Sequence, residues 1–357
     1  MLSIQNIVDS VKTPQLIKDP FIKGASFDLM QSGEPMRYLG GFTVVFPVTV
    51  KGEKWAFRCW HADLGNMRSR MELLSTALKK NPLPYFCDFV YVDEGIVVDG
   101  KILPTTRMRW VEGVNLLEYI CRHAAERQIL ITLADKFLAM CRDLRKLEYA
   151  HGDLQHENII VGSDGELRLI DYDSMFVPSM DGEYEDIIIG KKDYQHPKRT
   201  GTGLAFSGLD YFSELIIYTS ILAIAHNPAL SSKYDIEKAE RLLFSKADYE
   251  SIKESAIYQD IAALQGNFPL LLHILEEYLK KNDISQLEPF DVLLDRYAKV
   301  PNIKLFESVN GKRVYKGDRV VLHWDVENYT SIYINEKLID SGNQNIYKDT
   351  IESDKIY

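Results

Sequence analysis

Between positions 151 and 173 the sequence sets three oxygen-bearing side chains at spacings that suit one kind of chemistry. The stretch His151-Gly-Asp-Leu-Gln-His-Glu-Asn-Ile-Ile-Val161 carries Asp153 on a turn and Asn158 five residues later, and Leu169-Ile-Asp-Tyr-Asp173 adds Asp171. Transfer of a phosphoryl group from a nucleotide needs such a set. One carboxylate accepts or orients the proton of the attacking hydroxyl, and a carboxylate with an amide oxygen holds Mg²⁺ against the phosphates, because hard cations prefer oxygen ligands. Asp153 fits the first role; Asn158 and Asp171 fit the second. Each residue alone is an ordinary turn former. The inference rests on the set, together with the apolar runs Asn158-Ile-Ile-Val161 and Leu167-Arg-Leu-Ile170, which flank Gly162-Ser-Asp-Gly165 and read as a small hairpin delivering Asp171.

Other elements must position these groups. Residues from about 30 to 110 read as short strands with one helix among them. Gly41-Phe-Thr-Val-Val-Phe-Pro-Val-Thr-Val50 is β-branched and aromatic, and a turn at Lys51-Gly52-Glu53 leads into Lys54-Trp-Ala-Phe-Arg-Cys-Trp60, which predicts a hairpin. Met67 to Lys80 has helical spacing, with Met71, Leu74 and Leu78 on one face. From about 115 to 298 the texture is helical apart from the polar, turn-rich section 150 to 209. Ile129 to Tyr149 places Leu133, Phe137, Met140, Leu144 and Leu147 on one face, and Phe212 to Ala225 is apolar nearly all round, as in a buried helix. After Val300-Pro301, Val320, Leu322, Trp324 and Val326 alternate with Val321, His323 and Asp325, the pattern of a half-buried strand, and Ile332 and Ile334 repeat it.

The catalytic constellation resembles that of the protein-kinase-like family, whose catalytic loop reads H-R-D-L-x-x-x-N and whose metal motif D-F-G lies a short hairpin later. His151-Gly-Asp-Leu with Asn158 matches the first except at Gly152, and Asp171-Tyr-Asp matches the second except at its last position. The form H-G-D-L also resembles small-molecule kinases of the aminoglycoside and choline type. Tyr194-Gln-His-Pro197 is similar to the x-A-P-E that closes the activation segment of protein kinases, and Ser207-Gly-Leu-Asp210 to Tyr218 resembles the start of their long buried helix, where an Asp braces the catalytic loop. The resemblance implies an α+β, two-lobed protein-kinase-like fold, followed by a small, incomplete all-β unit. Residues 1–29 would be an N-terminal extension. The β-rich N-lobe would span about 30–110 and the helical C-lobe about 111–300. Residues 301–357 resemble a truncated bacterial immunoglobulin-like module.

Mapped onto this sequence, the resemblance places the Gly-rich loop at Tyr38 to Val45, with Gly40 in place, Gly41 beside it, and Tyr38 and Thr43 where the family has its other two glycines. V-A-I-K falls on Trp55-Ala56-Phe-Arg58, so Arg58 stands at the phosphate-binding Lys. Ala56 and Arg58 share a strand face with Lys54, a second candidate donor. Arg keeps the charge and grips phosphate with a planar fork. Glu72, on the following helix, either pairs with that cation or is a solvated surface acid. Arg107 to Gly113 resembles the hinge that binds adenine through its backbone, with Met108 guarding the back pocket and Trp110 within the strap. Gly152 replaces the Arg that receives an activation-loop phosphate in many kinases, so activity independent of loop phosphorylation is implied. Gln155, Lys198 and Asp173 are further departures; Asp173 either adds a Mg²⁺ ligand or stiffens the loop.

Composition bounds the alternatives. With 52 acidic residues against 42 Lys and Arg, the net charge of −10 disfavours nucleic acid as a partner. The N-terminus lacks the apolar stretch of a signal peptide, and Leu215 to Ala225 is too short to span a bilayer, so a cytoplasmic protein with no membrane partner is implied. The four cysteines, without C-x-x-C spacing, read as buried reduced thiols. His151 and His156 lack a third ligand for zinc. Three readings follow: an atypical Ser/Thr protein kinase using ATP and Mg²⁺ on a protein hydroxyl; a pseudokinase acting as a nucleotide-dependent binding or scaffold module for an unknown protein partner; and a small-molecule kinase.

Overall fold

Alternating apolar residues and a two-residue turn build the first half of the protein. The computed structural model describes residues 3–350 other than 41, 63–64, 187, 202, 299–301, 312–313, 328–331, 335–336 and 341–345. A first helix, α1 (Ile4–Val11), precedes an antiparallel sheet. The short strands β1 (Ser26–Phe27) and β2 (Tyr38–Leu39) pair with the two ends of β3 (Thr43–Val50), whose other edge pairs with β4 (Glu53–Trp60). Lys51 and Gly52 join β3 to β4 with φ of 52° and 86°, the positive values that a tight hairpin turn demands at both central positions. β5 (Phe89–Val98) and β6 (Lys101–Arg109) complete the order β1-β3-β4-β6-β5. The inward residues Val44, Phe46, Val48, Phe57, Ile96 and Val98 form one core cluster, and Ile7, Val8 and Val11 of α1 belong to it.

Helix α2 (Met67–Lys80) lies against β5 and buries Met67, Arg70, Met71, Leu74 and Leu78. An arginine, Arg70, is thus buried on the same face of the helix as methionines and leucines. After β6 the strap 110–112 leads to β7 (Gly113–Asn115), and the Asn115 side chain accepts from Glu118 N–H at 2.9 Å to start α3 (Leu116–Arg122).

α4 (Arg127–Lys146) presents Leu130, Leu133, Phe137, Met140 and Leu144 to the interior, where α5 (Tyr211–His226), buried nearly all round, packs on it. Between them β8 (Ile159–Gly162) and β9 (Leu167–Leu169) form the expected small hairpin, with Ile159 opposite Leu169 and Val161 opposite Leu167; β7 adds a third strand beside β8. α6 (Ala229–Lys233), α7 (Ile236–Ala239), α8 (Ala256–Ala262) and α9 (Phe268–Leu279) follow. The architecture is therefore mixed α+β, an antiparallel sheet first and helices later. Among the described residues no helix is long and apolar enough to cross a membrane. All four cysteines are free; Cys59 and Cys141 are buried, Cys87 and Cys121 half-buried.

The chain divides into two compact units, Met1–Glu288 and Pro289–Tyr357. The second begins with α10 (Phe290–Ala298) and continues with β10 (Asn302–Ser308), β11 (Arg319–Glu327), the hairpin of β12 (Ile332–Ile334) and β13 (Lys337–Asp340), and β14 (Ile346–Thr350). β11 is central in an antiparallel sheet ordered β10-β11-β14, and its alternate residues Val320, Leu322 and Trp324 are buried together with Ile334. Its period of two is the one its sequence shows.

Because Ile7 is fully buried in the core beneath β3 and β4, removing its side chain leaves a cavity under the sheet. Ile7→Ala is expected to lower unfolding free energy by about 2–5 kcal/mol in denaturant titrations. A loss below about 0.5 kcal/mol would show that α1 is dispensable to this core.

Candidate functional site

The loop carrying Asp153 runs from the end of α4 to β8 and is held from beneath by α5. Asp210, at the start of α5 and 3% exposed, accepts the Gly152 N–H at 2.9 Å through one oxygen and the His151 N–H through the other. His151 Nε2 lies 2.9 Å from the Ile170 carbonyl and so ties the loop to the segment bearing Asp171. Gly152 has φ of 78°, and a β-carbon there would overlap the Ser174 carbonyl. The absence of a side chain at 152 therefore has a steric cause: the loop and residue 174 share the space.

Asp153 is half-buried, and both of its carboxylate oxygens are engaged. Asn158 Nδ2 donates to the Asp153 carbonyl at 2.8 Å and to Oδ2 at 3.1 Å, while the Lys191 N–H donates to Oδ1 at 3.2 Å. Burial pushes the Asp153 carboxyl above its ordinary value, against the pull of His151 and of these hydrogen bonds. A carboxylate raised in this way is a better proton acceptor than an exposed one.

A cleft of about 500 Å³ lies between the sheet and the β7–β9 hairpin region. Apolar side chains of Val45, Ala56, Met108, Ile160 and Ile170 wall it, and the strap 110–112 borders it. None of the described hydrogen bonds uses the backbone of Val111 or Glu112. Volume and lining suit a flat, mostly apolar group of small-molecule size. At the polar end stand Arg58, Asn158 and Asp171. The described hydrogen bonds leave Asn158 Oδ1 and Asp171 Oδ2 unengaged. Two such oxygens suit a hard divalent cation that takes its remaining ligands from water or phosphate. Among the described residues no group of three or more His, Cys, Asp or Glu is assembled to hold a metal by itself.

The residues singled out from the sequence thus divide. The cleft brings together Gly40, Ala56, Arg58, Met108, Trp110, Asn158 and Asp171, and Asp153 adjoins it through Asn158. Gly41 lies outside the described residues. The Gly40 N–H already donates to the Thr43 carbonyl at 2.9 Å. Lys54 does not line the cleft: its ammonium is 3.2 Å from Asp28 and 5.3 Å from the centre of the Trp110 ring. Glu72 lies on the exposed face of α2, and none of the described ion pairs includes it.

Arg58 is 5% exposed and held by acids from elsewhere. Its Nη1 and Nη2 donate to Asp173 Oδ1 and Oδ2 at 3.0 and 2.8 Å, and Nη2 also reaches Asp171 Oδ1 at 3.0 Å and Thr43 Oγ1 at 3.3 Å. Burial opposes the charge on Arg58, and the Asp173 and Asp171 carboxylates outweigh it, so its pKa stays above the ordinary value. Asp171 has φ of 63°, a left-handed conformation costing a side-chain-bearing residue about 1–3 kcal/mol, which the surrounding bonds must hold in place.

Two buried arginines beside the site escape the sequence reading. Arg70 of α2, 2% exposed, donates to the carbonyls of Ser174, Met175 and Glu185, so that α2 grips the segment after Asp173 through its backbone. Its signal was available: position 70 falls on the same helical stripe as Met67, Met71 and Leu74. Arg199 forms a buried fork to Asp186 at 2.6 and 2.7 Å and donates to the Gly152 carbonyl at 2.6 Å. It thereby holds Asp186 and the Ile188 carbonyl beside the Asp153 loop, and Gly190, at φ of 77°, has no room for a β-carbon against Asp153. The chain matches no protein-family model and no curated protein.

His196 secures the far end of this segment. Its Nδ1 accepts the Lys198 N–H at 3.1 Å, which leaves Nε2–H to donate to the Tyr278 carbonyl at 2.9 Å. This is the neutral imidazole, and burial holds its pKa below the ordinary 6.5. As pH falls below 6.5 the unfolded chain takes up a proton that the folded chain resists, so stability is lost in that direction. In denaturant midpoints measured from pH 7 down to pH 5, wild type is expected to lose more stability than His196→Gln. Parallel profiles would contradict the assignment.

Proposed function

We propose that this chain is a protein-kinase-like phosphotransferase that moves the γ-phosphoryl group of ATP, with Mg²⁺, to a protein hydroxyl. The observation that carries the reading is the placement of Asn158 and Asp171 together at the polar end of the cleft, with Asn158 bonded to Asp153. The element order supports the finer reading of a two-lobed kinase-like fold: an antiparallel sheet with helix α2, a strap, a small hairpin bearing the acidic residues, then a helical half.

In this reading Val45, Ala56, Met108, Ile160 and Ile170 sandwich the base, and the strap 110–112, which includes Trp110, offers it backbone groups. Asn158 and Asp171 hold the cation, which when bound neutralises phosphate charge. Arg58 faces the phosphates. Asp153 accepts the proton of the acceptor hydroxyl, and its raised pKa suits that task.

The Arg58 contacts favour a second reading. Its single positive charge is shared by two carboxylates, so the Arg58–Asp171–Asp173 cluster carries a net charge of about −1 until a cation arrives. A module that binds a nucleotide without transferring phosphate would have such a site.

Incubation with labelled ATP and Mg²⁺, alone and with generic protein acceptors, tests both. Transfer to protein that drops about 100-fold or more in Asp153→Asn is the expected result. Thermal stabilisation by nucleotide with no transfer from wild type would replace the first reading by the second. Binding of neither ATP nor ADP would overturn both.

A further inference from the structure

Arg58 and Asp173 are 115 residues apart in sequence, yet they form the more enclosed of the two ion pairs that Arg58 makes. Both guanidinium nitrogens that face Asp173 are matched by a carboxylate oxygen, at 3.0 and 2.8 Å, and the two side chains are only 6% and 11% exposed. A guanidinium so far from water needs a partner fixed in geometry. Helix α2, which packs beside the sheet, does not supply one: its acid Glu72 is exposed, and its inward charged residue is Arg70.

Asp173 itself is braced on both sides. Before it, the fully buried Tyr172 donates its hydroxyl to the Leu169 carbonyl at 2.8 Å and accepts the Cys87 N–H at 3.0 Å. After it, Arg70 holds the Ser174 and Met175 carbonyls at 2.9 and 3.2 Å. The carboxylate is therefore presented to Arg58 from a turn held on both sides.

We propose that Asp173 is the positioning residue for Arg58 and, resting on the nucleotide reading above, sets the cation that meets the phosphates. The acid on the metal-bearing loop does this work, so α2 acts only through the backbone that Arg70 grips. Asp171, by contrast, touches Arg58 with one oxygen and is 48% exposed, which leaves it able to exchange Arg58 for a divalent ion. Without Asp173, the remaining carboxylate partner of Arg58 is Asp171, and the guanidinium then competes with the cation for it.

Calorimetric titration of Mg²⁺·ATP and of adenosine into wild type, Asp173→Asn, Arg58→Met and the double variant tests the assignment. Each single variant is expected to bind Mg²⁺·ATP about tenfold more weakly, and the double variant no more weakly than the worse single one. Adenosine affinity, which reports the apolar end of the cleft, is expected to stay unchanged. Should Asp173→Asn alone fail to fold, Arg58→Met against the double variant still decides: equal affinities support the proposal and a further loss overturns it. Unchanged Mg²⁺·ATP binding in Asp173→Asn, losses that multiply, or a parallel loss of adenosine would overturn it while leaving the nucleotide reading intact. Wild type binding no Mg²⁺·ATP would overturn the nucleotide reading and this proposal with it.

Discussion

A positive charge buried at the base of a cleft must be paired, and the pairing of Arg58 organises much of the surrounding structure. The guanidinium comes from the middle of β4, and its acids come from the turn after β9, so one ion cluster joins the sheet to the hairpin that carries Asp171. Taking Arg58 and Asp173 out of water costs several kcal/mol per ion, and only a matched geometry offsets it. Arg70, Tyr172 and Thr43 all help to fix that geometry.

A second constraint is steric. The Asp153 loop packs so closely on the turn at Ser174 and on Gly190 that a β-carbon is excluded at Gly152 and at Gly190. At Gly152 the loop lies directly against the Ser174 backbone, and the buried Arg199–Asp186 fork ties the assembly together through the Gly152 carbonyl. Asp210 satisfies two loop N–H groups that would otherwise be buried without partners. The proposed proton acceptor is thus held jointly by the Asn158 side chain and the Lys191 N–H on a loop that Asp210 anchors.

Local pattern made much of this legible. The β3–β4 hairpin follows from alternating apolar residues around Lys51-Gly52, α2 from its stripe of Met71, Leu74 and Leu78, and the β8–β9 hairpin from two apolar runs around a Gly-bounded turn. The clustering of Asn158 and Asp171 follows from that hairpin. What the pattern did not supply was partnership across long stretches of chain. Arg58 finds Asp173, Arg199 finds Asp186, and α1 joins the core of the sheet, and none of these contacts has a periodic signature. The choice between Glu72 and Arg70 on α2 was closer to reach. Residue 72 lies off the buried stripe and residue 70 on it, but an Arg among methionines reads as an exposed residue unless the phase of the helix is given more weight than its charge.

Asn158 and Asp171 are proposed to hold a divalent ion at the polar end of a nucleotide cleft. A crystal of the protein grown with Mn²⁺ and a non-hydrolysable ATP analogue tests it most directly, through the anomalous signal of the metal. The account predicts a peak in coordination contact with Asn158 Oδ1 and Asp171 Oδ2, with the base between Ala56 and Ile170 and the terminal phosphate beside Asp153. A metal peak remote from both side chains, or an analogue bound outside this cleft, would contradict it.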